Sequence, residues 1–230
     1  MANISVLSSI ATREAYLELV PPFERTTGHT VTTTWAGTVD IMKRMAAGET
    51  YDLVMISAKE LDQLISQGRV AAGSRVDIAH CGIGVAVRAG APRPDISSGE
   101  ALKRALLAAR TVDYTSGPSG VYMAELIERM GIAGQVKPKH RGVPSGATVG
   151  TIVASGEAEI GFQQVSELVH IKGIDYIGPL PPDVQRVTVF SSGIHSRASH
   201  PDAAKALQGY LVAPAAAAVM KRHGLEPGGA

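Results

Sequence analysis

A chain of 230 residues, 45% apolar and 19% charged, is long enough to bury a large core, as one domain or as two small lobes, and has the balance of a soluble globular protein. A formal net charge of +1, with no basic run longer than two residues, leaves no electrostatic footprint for nucleic acid. The single cysteine, Cys81, excludes an internal disulfide and any multi-cysteine metal site, and no apolar stretch approaches the roughly 20 residues that cross a bilayer.

The first 80 residues alternate strand and helix. Ile4–Leu7 reads as a strand and 11–25 as a helix with Tyr16, Leu19, Val20 and Phe23 on one face; Pro21-Pro22 is expected to kink or shorten it. Thr30–Trp35 is a β-branched strand, 39–47 a helix closed by Gly48, 52–56 a buried strand and 59–67 a helix closed by Gly68. That order predicts a parallel, doubly wound α/β sheet with crossover helices. A strand over 82–88 leads into the Pro/Gly-rich stretch 90–99, where the chain is expected to cross into a second lobe. That lobe repeats the alternation: helix 100–109, strand 111–113, helices 120–130 and 149–155, strand 160–163, then strands 174–177 and 187–190 around a turn at Pro179–Pro182. The tail from His200 to Gly224 is helical, with Ala204, Leu207 and Leu211 in register. If the tail returns to the first lobe, two strands cross between lobes and form a hinge. The division expected is 1–82 with 192–230 as lobe I and 83–191 as lobe II.

Four strand-to-helix turns are made of small hydroxyl and glycine residues: Ser8-Ser9 to Thr12, Gly37-Thr38, Thr115 to Gly120 with Ser116 and Ser119, and Ser145 to Thr148 with Gly146 and Ala147. Such turns aim backbone N–H and O–H donors, together with the positive end of a helix dipole, at one spot, which favours an anion. One turn alone is an ordinary N-cap worth about 1 kcal/mol. Four in both halves of the chain point to a shared anion site.

Several stretches carry a resemblance. Phe23-Glu24-Arg25-Thr26-Thr27-Gly28-His29-Thr30-Val31, then Ala47-Gly48-Glu49-Thr50-Tyr51-Asp52-Leu53-Val54 with Ile56-Ser57-Ala58, then His200-Pro201-Asp202-Ala203-Ala204-Lys205-Ala206-Leu207 with Lys221-Arg222-His223-Gly224-Leu225, resemble in order and spacing the bacterial solute-binding proteins of the periplasmic molybdate-binding branch. The resemblance implies the type II periplasmic-binding fold, two α/β lobes joined by a two-strand hinge with a ligand cleft between them, and a monomer that hands a small anion to the membrane subunits of an ABC importer. Nothing in the turns resembles a nucleophile–base pair, so no catalytic residue, metal or cofactor is expected. Carried over by position, the ligand contacts fall on the Ser8–Thr12 turn (the family's serine near Ala11), on Thr38, on Ser119 beside Gly120, near Gly146–Thr148, and, where the family has a tyrosine, on Gln164. Glutamine adds two N–H donors and a carbonyl acceptor where tyrosine offers one O–H. An acceptor facing a fully deprotonated oxyanion is unfavourable, so the change argues for a small organic di- or tricarboxylate over molybdate.

Gln163 and Gln164 face opposite sides of their strand, so one of them faces the cleft. Arg13 reads as a surface residue, Arg141 as a solvated surface residue or else a bidentate grip on a carboxylate, Trp35 as either cleft wall or core, and the histidines as solvated or structural, with no metal spacing among them. The runner-up function is an enzyme on the same scaffold: aconitate isomerase resembles this branch, and moving a double bond in a small tricarboxylate needs an anion clamp and one proton shuttle. Glu14, Glu125 and Glu167 are the bases on offer. Met1-Ala2-Asn3 runs straight into a strand, which implies a cytoplasmic protein if Met1 is the native start and a periplasmic one if a leader has been removed.

Overall fold

The computed structural model describes residues 1–143 and 147–229. The chain divides into two compact units, Met1–Cys81 with Thr188–Ala230, and Gly82–Val187.

The first unit is built on strands β1 (Asn3–Ser9), β2 (Thr30–Ala36) and β3 (Leu53–Ser57), linked by helices α1 (Arg13–Thr27) and α2 (Thr38–Ala46), with α3 (Ala58–Ser66) following β3. β1 lies between β2 and β3 and is parallel to both, with Ser9 opposite Ala36 and Ser8 opposite Met55. Parallel neighbours require crossovers, supplied here by α1 and α2, and β3 is buried along its whole length. Leu7, Val54 and Ile56 pack under α2 and α3 with Ile41, Met45, Leu61 and Leu64. The α1 face carries buried Tyr16, Leu19 and Phe23.

Helix α1 departs from expectation in two ways. It begins two residues later than the pattern suggests, because Ser9 Oγ accepts from the Ala11 amide (3.3 Å) and Thr12 donates to the Ser9 carbonyl (3.1 Å), winding residues 10–12 into a tighter turn. It also runs through Pro21-Pro22 to Thr27. The carbonyls left without an N–H partner belong to Leu17 and Glu18, both exposed, so water replaces the lost bonds, while the buried Phe23 ring holds the last turns down.

Strand β4 (Val76–Arg88) begins in the first unit and ends in the second. The second unit continues with α4 (Gly99–Ala108), β5 (Val112–Tyr114), α5 (Pro118–Arg129), α6 (Ala133–Val136), α7 (Val149–Ser155), β6 (Ile160–Gln164), α8 (Val165–Leu168) and β7 (Ile174–Pro179). Its part of β4 pairs antiparallel with β6 on one side and β7 on the other, and β6 pairs in parallel with β5, Tyr114 opposite Phe162. One apolar core joins Ile83, Val85, Val112 and Phe162 to Leu102, Met123, Leu126 and Ile127. On the other face Gly161 lets α7 close in: a Cβ there would stand 2.5 Å from both Val149 and Val153.

Strand β8 (Val187–Ile194) brings the chain back to the first unit, antiparallel to β3. Helices α9 (Pro201–Leu211) and α10 (Ala217–Arg222) then pack against α1, with Phe23 and Tyr210 at 5.4 Å, and β9 (Glu226–Pro227) pairs with β4. The short α6, α8 and β9 carried no usable sequence signal. Among the described residues no single helix is long and apolar enough to cross a membrane. Cys81 is buried.

Candidate functional site

In open α/β sheets, ligands collect at the carboxyl ends of the parallel strands. The register of the first unit puts three such ends side by side. β1 leaves through Ser8, Ser9 and Thr12, β2 through Gly37 and Thr38, and β3 through Ser57.

The Ser8–Thr12 hydroxyls are buried and knitted to one another. Ser8 Oγ lies 3.2 Å from Thr12 Oγ1, Thr12 donates to the Ser9 carbonyl, and Ser9 Oγ accepts from Ala11. The turn is therefore pre-organised, and the Ser9 hydroxyl keeps its own proton to donate. Gly37 and Thr38 differ. The Gly37 N-cap of α2 has no side-chain cap bond, and the Thr38 hydroxyl has no partner among the described residues, so this end presents free donors. Ser57 adds a hydroxyl end that the four small-residue turns of the sequence do not include. It closes a fully buried strand in the same strand-to-hydroxyl pattern, 3% exposed, and its hydroxyl is bonded to Glu60.

Trp35 is partly buried and meets Tyr16 edge to face at 5.2 Å, which makes it part of the packing beneath α1. Arg13 is half-exposed and paired with Glu14 at 3.3 Å.

In the second unit, the parallel pair β5–β6 supplies two adjacent carboxyl ends. The β5 end carries Ser116, exposed, and Ser119, buried, whose Oγ is 3.5 Å from Thr115 Oγ1. Gly120 is required by close approach: a Cβ there would fall 1.5 Å from the Thr115 carbonyl oxygen. Thr148 is spent as a cap, since it and Thr151 exchange reciprocal bonds at the start of α7. Ala147 beside it is partly exposed, and Gly146 lies outside the described residues.

The β6 end carries the most unusual chemistry. Gln163 and Gln164 are each 2% exposed and, being consecutive, point to opposite faces. Gln163 shares its face with Gly161, the α7 side, and its Nε2 donates to Glu167 Oε1 at 2.9 Å, while its Oε1 is buried with no partner among the described residues. Glu167, the third residue of α8, is partly buried. Removal from water pushes its pKa up to about 7 against the lowering effect of the Gln163 amide. Of the other two glutamates considered as bases, Glu14 is tied to Arg13 and Glu125 faces solvent.

On the same face, Asp113 accepts from the amides of Arg141 and Gly142 and sits 2.8 Å from His140 Nδ1. The His140 ring stacks on Tyr114 at 4.0 Å. This pair anchors the segment after α6 to the edge strand β5. Among the described residues no three His, Cys, Asp or Glu side chains form a metal-binding group. A shallow depression is lined by Arg75, Val76, Asp77, Val212, Gly228 and Gly229, none of them a residue of these turns, and Arg75 is already paired with Asp62 and Asp77.

Comparison with known proteins places this geometry in context. Residues 4–226 match the family model described as bacterial extracellular solute-binding protein. The chain is 38% identical over 233 residues to a Pseudomonas protein named aconitate isomerase, covering 99% of this chain and 88% of the relative. It is 22% identical over 236 residues to the molybdate-binding protein ModA of Escherichia coli, covering 96% and 88%. Among solved structures, the periplasmic molybdate-binding protein of Azotobacter vinelandii superposes with a TM-score of 0.79 at 18% identity, covering 96% of this chain and 98% of that one. The chain belongs to the bacterial extracellular solute-binding protein family, with the type II periplasmic-binding fold and as a divergent relative of its molybdate-binding branch.

Proposed function

We propose that this chain binds a small unsaturated tricarboxylate and moves its double bond, acting as an isomerase on a solute-binding scaffold. The observation that carries the reading is a contrast. Identity to the protein named aconitate isomerase is 38% along 99% of the chain, against 22% to the molybdate-binding protein ModA. The chemistry is modest. Aconitate has three carboxylates, one methylene and one carbon–carbon double bond, so an allylic proton shift interconverts its forms without any redox partner. Such a shift needs carboxylates held still and one base close to the methylene.

The donors suited to holding carboxylates are the Ser8–Thr12 and Gly37-Thr38 ends in the first unit and the Ser116–Gly120 turn in the second.

A second reading is a receptor that captures a small anion outside the cytoplasmic membrane for an ABC importer. The family description favours it. A thermal-shift screen over molybdate, tungstate, sulfate, phosphate and di- and tricarboxylates, followed by chromatography of each hit after incubation, separates the two. A ligand at 100 times its Kd stabilises by about 2.7 kcal/mol, or roughly 5–10 °C for a chain of this size. A tricarboxylate shift with turnover supports the isomerase. A shift without turnover supports the receptor, and a response confined to molybdate and tungstate overturns the organic-acid preference.

A further inference from the structure

We infer that Glu167 is the base that carries the proton in this reaction and that Gln163 is its positioning residue, an assignment that rests on the isomerase reading above. Position is the first argument. Glu167 stands one turn beyond the carboxyl end of β6, next to the end of β5 from which the Ser116–Gly120 turn departs. A carboxylate there neighbours the donors proposed to hold the ligand.

Environment is the second. Among the described residues Glu167 has no cationic partner; it accepts from the neutral Gln163 amide. The titratable side chains on adjoining elements are Tyr176 of β7, whose ring crosses Gly84 beside Leu168 and Val165, His170 just beyond α8, and the Asp113–His140 pair at β5. Neither influence on its pKa is a neighbouring charge: burial raises it and the Gln163 amide lowers it, to about 7. A base poised there exists in both protonation states at neutral pH.

The third argument is the orphaned Gln163 Oε1. A glutamine amide donates from one end and accepts at the other. The Gln163 N–H binds the carboxylate, and its buried carbonyl has no partner among the described residues. When Glu167 takes up a proton and becomes a donor, rotation of the Gln163 amide turns that free carbonyl toward it. One side chain thus satisfies the base before and after proton transfer.

The step balances within the substrate. The Glu167 carboxylate removes a proton from the methylene carbon, and the C–H electron pair becomes a new double bond to the central carbon. The former double-bond pair moves to the far carbon, which takes the proton back from Glu167. Nothing is oxidised or reduced.

The test uses the full chain with cis- and trans-aconitate. Glu167→Gln is isosteric; it is expected to keep its melting temperature and its ligand-induced shift while kcat falls at least 100-fold. Gln163→Met removes the bond that lowers the Glu167 pKa, so the rising limb of the kcat–pH profile, near pH 7 in the wild type, is expected to move to higher pH. A structural role alone would not move that limb. Wild-type turnover with Glu167→Gln within threefold of it, or an unmoved limb in Gln163→Met, overturns the assignment and leaves the isomerase reading intact. Absence of wild-type turnover on either isomer overturns both.

Discussion

Asp52 offers the sharpest stability test, at the end of the sheet opposite the hydroxyl turns. It is 2% exposed and accepts from the Ser5 amide (2.8 Å), the Ser5 hydroxyl (2.8 Å) and the His200 amide (2.7 Å), tying β1, the entry to β3 and the start of α9 together. Burial pushes its carboxyl up, but the Ser5 and His200 amides and the Ser5 hydroxyl outweigh that and hold its pKa below the usual carboxylate range. Asp52→Ala strands two backbone donors at about 1–3 kcal/mol each, so a loss of ~3–5 kcal/mol is expected, roughly 10 °C in Tm. Asp52→Asn keeps one acceptor and should lose less. A group whose pKa is depressed by folding stabilises above its unfolded value and loses that contribution as pH falls through the folded one. The gap between wild type and Asp52→Asn is therefore full at neutral pH and closes below about pH 4. Urea denaturation of the three proteins from pH 7 to pH 3 measures this. A loss below 1 kcal/mol for Asp52→Ala at pH 7, or a gap that widens on acidification, refutes the reasoning.

Three further outcomes follow from other positions. Gly120→Ala forces a methyl into the Thr115 carbonyl, so the second unit should lose its cooperative unfolding transition, seen by circular dichroism; a wild-type melt would contradict the close-approach argument. Thr38→Val removes a hydroxyl that caps nothing, so Tm should hold while calorimetric affinity for a tricarboxylate drops about 5–30-fold, the equivalent of ~1–2 kcal/mol. His195 is 4% exposed, and burial, reinforced by the Arg197 and Arg69 charges, lowers its pKa. The wild type should therefore lose stability as pH falls below about 6.5, and His195→Gln should show a flatter profile between pH 6.5 and 5.

Much of the fold was legible because its signals are local. The buried run 53–57, the β-branched run 30–35 and the glycines after α2 and α3 mark strand and helix ends with no tertiary information. What was not legible depends on contacts distant in sequence. β3 starts at Leu53, one residue later than the strand expected over 52–56, and the Asp52 carboxylate is bonded instead to Ser5 and His200. The prolines of α1 survive because the carbonyls they strip of partners lie on exposed residues, which spacing alone does not reveal.

The hydroxyl turns were visible as composition, but their roles were not. The strand register reveals Ser57 beside the Ser8 and Gly37 ends, and only side-chain bonding separates the engaged Ser8–Thr12 cluster and the capping Thr148 from the free Thr38. Glu14, Glu125 and Glu167 look alike in sequence. Burial and one glutamine amide single out Glu167.

The most direct measurement follows purified wild-type protein with trans-aconitate by proton NMR at pH 7.5. Appearance of the cis isomer at a rate proportional to protein concentration is the predicted result. A trans signal that stays unchanged, while calorimetry under the same conditions shows the protein saturated with ligand, would contradict an isomerase and leave a receptor.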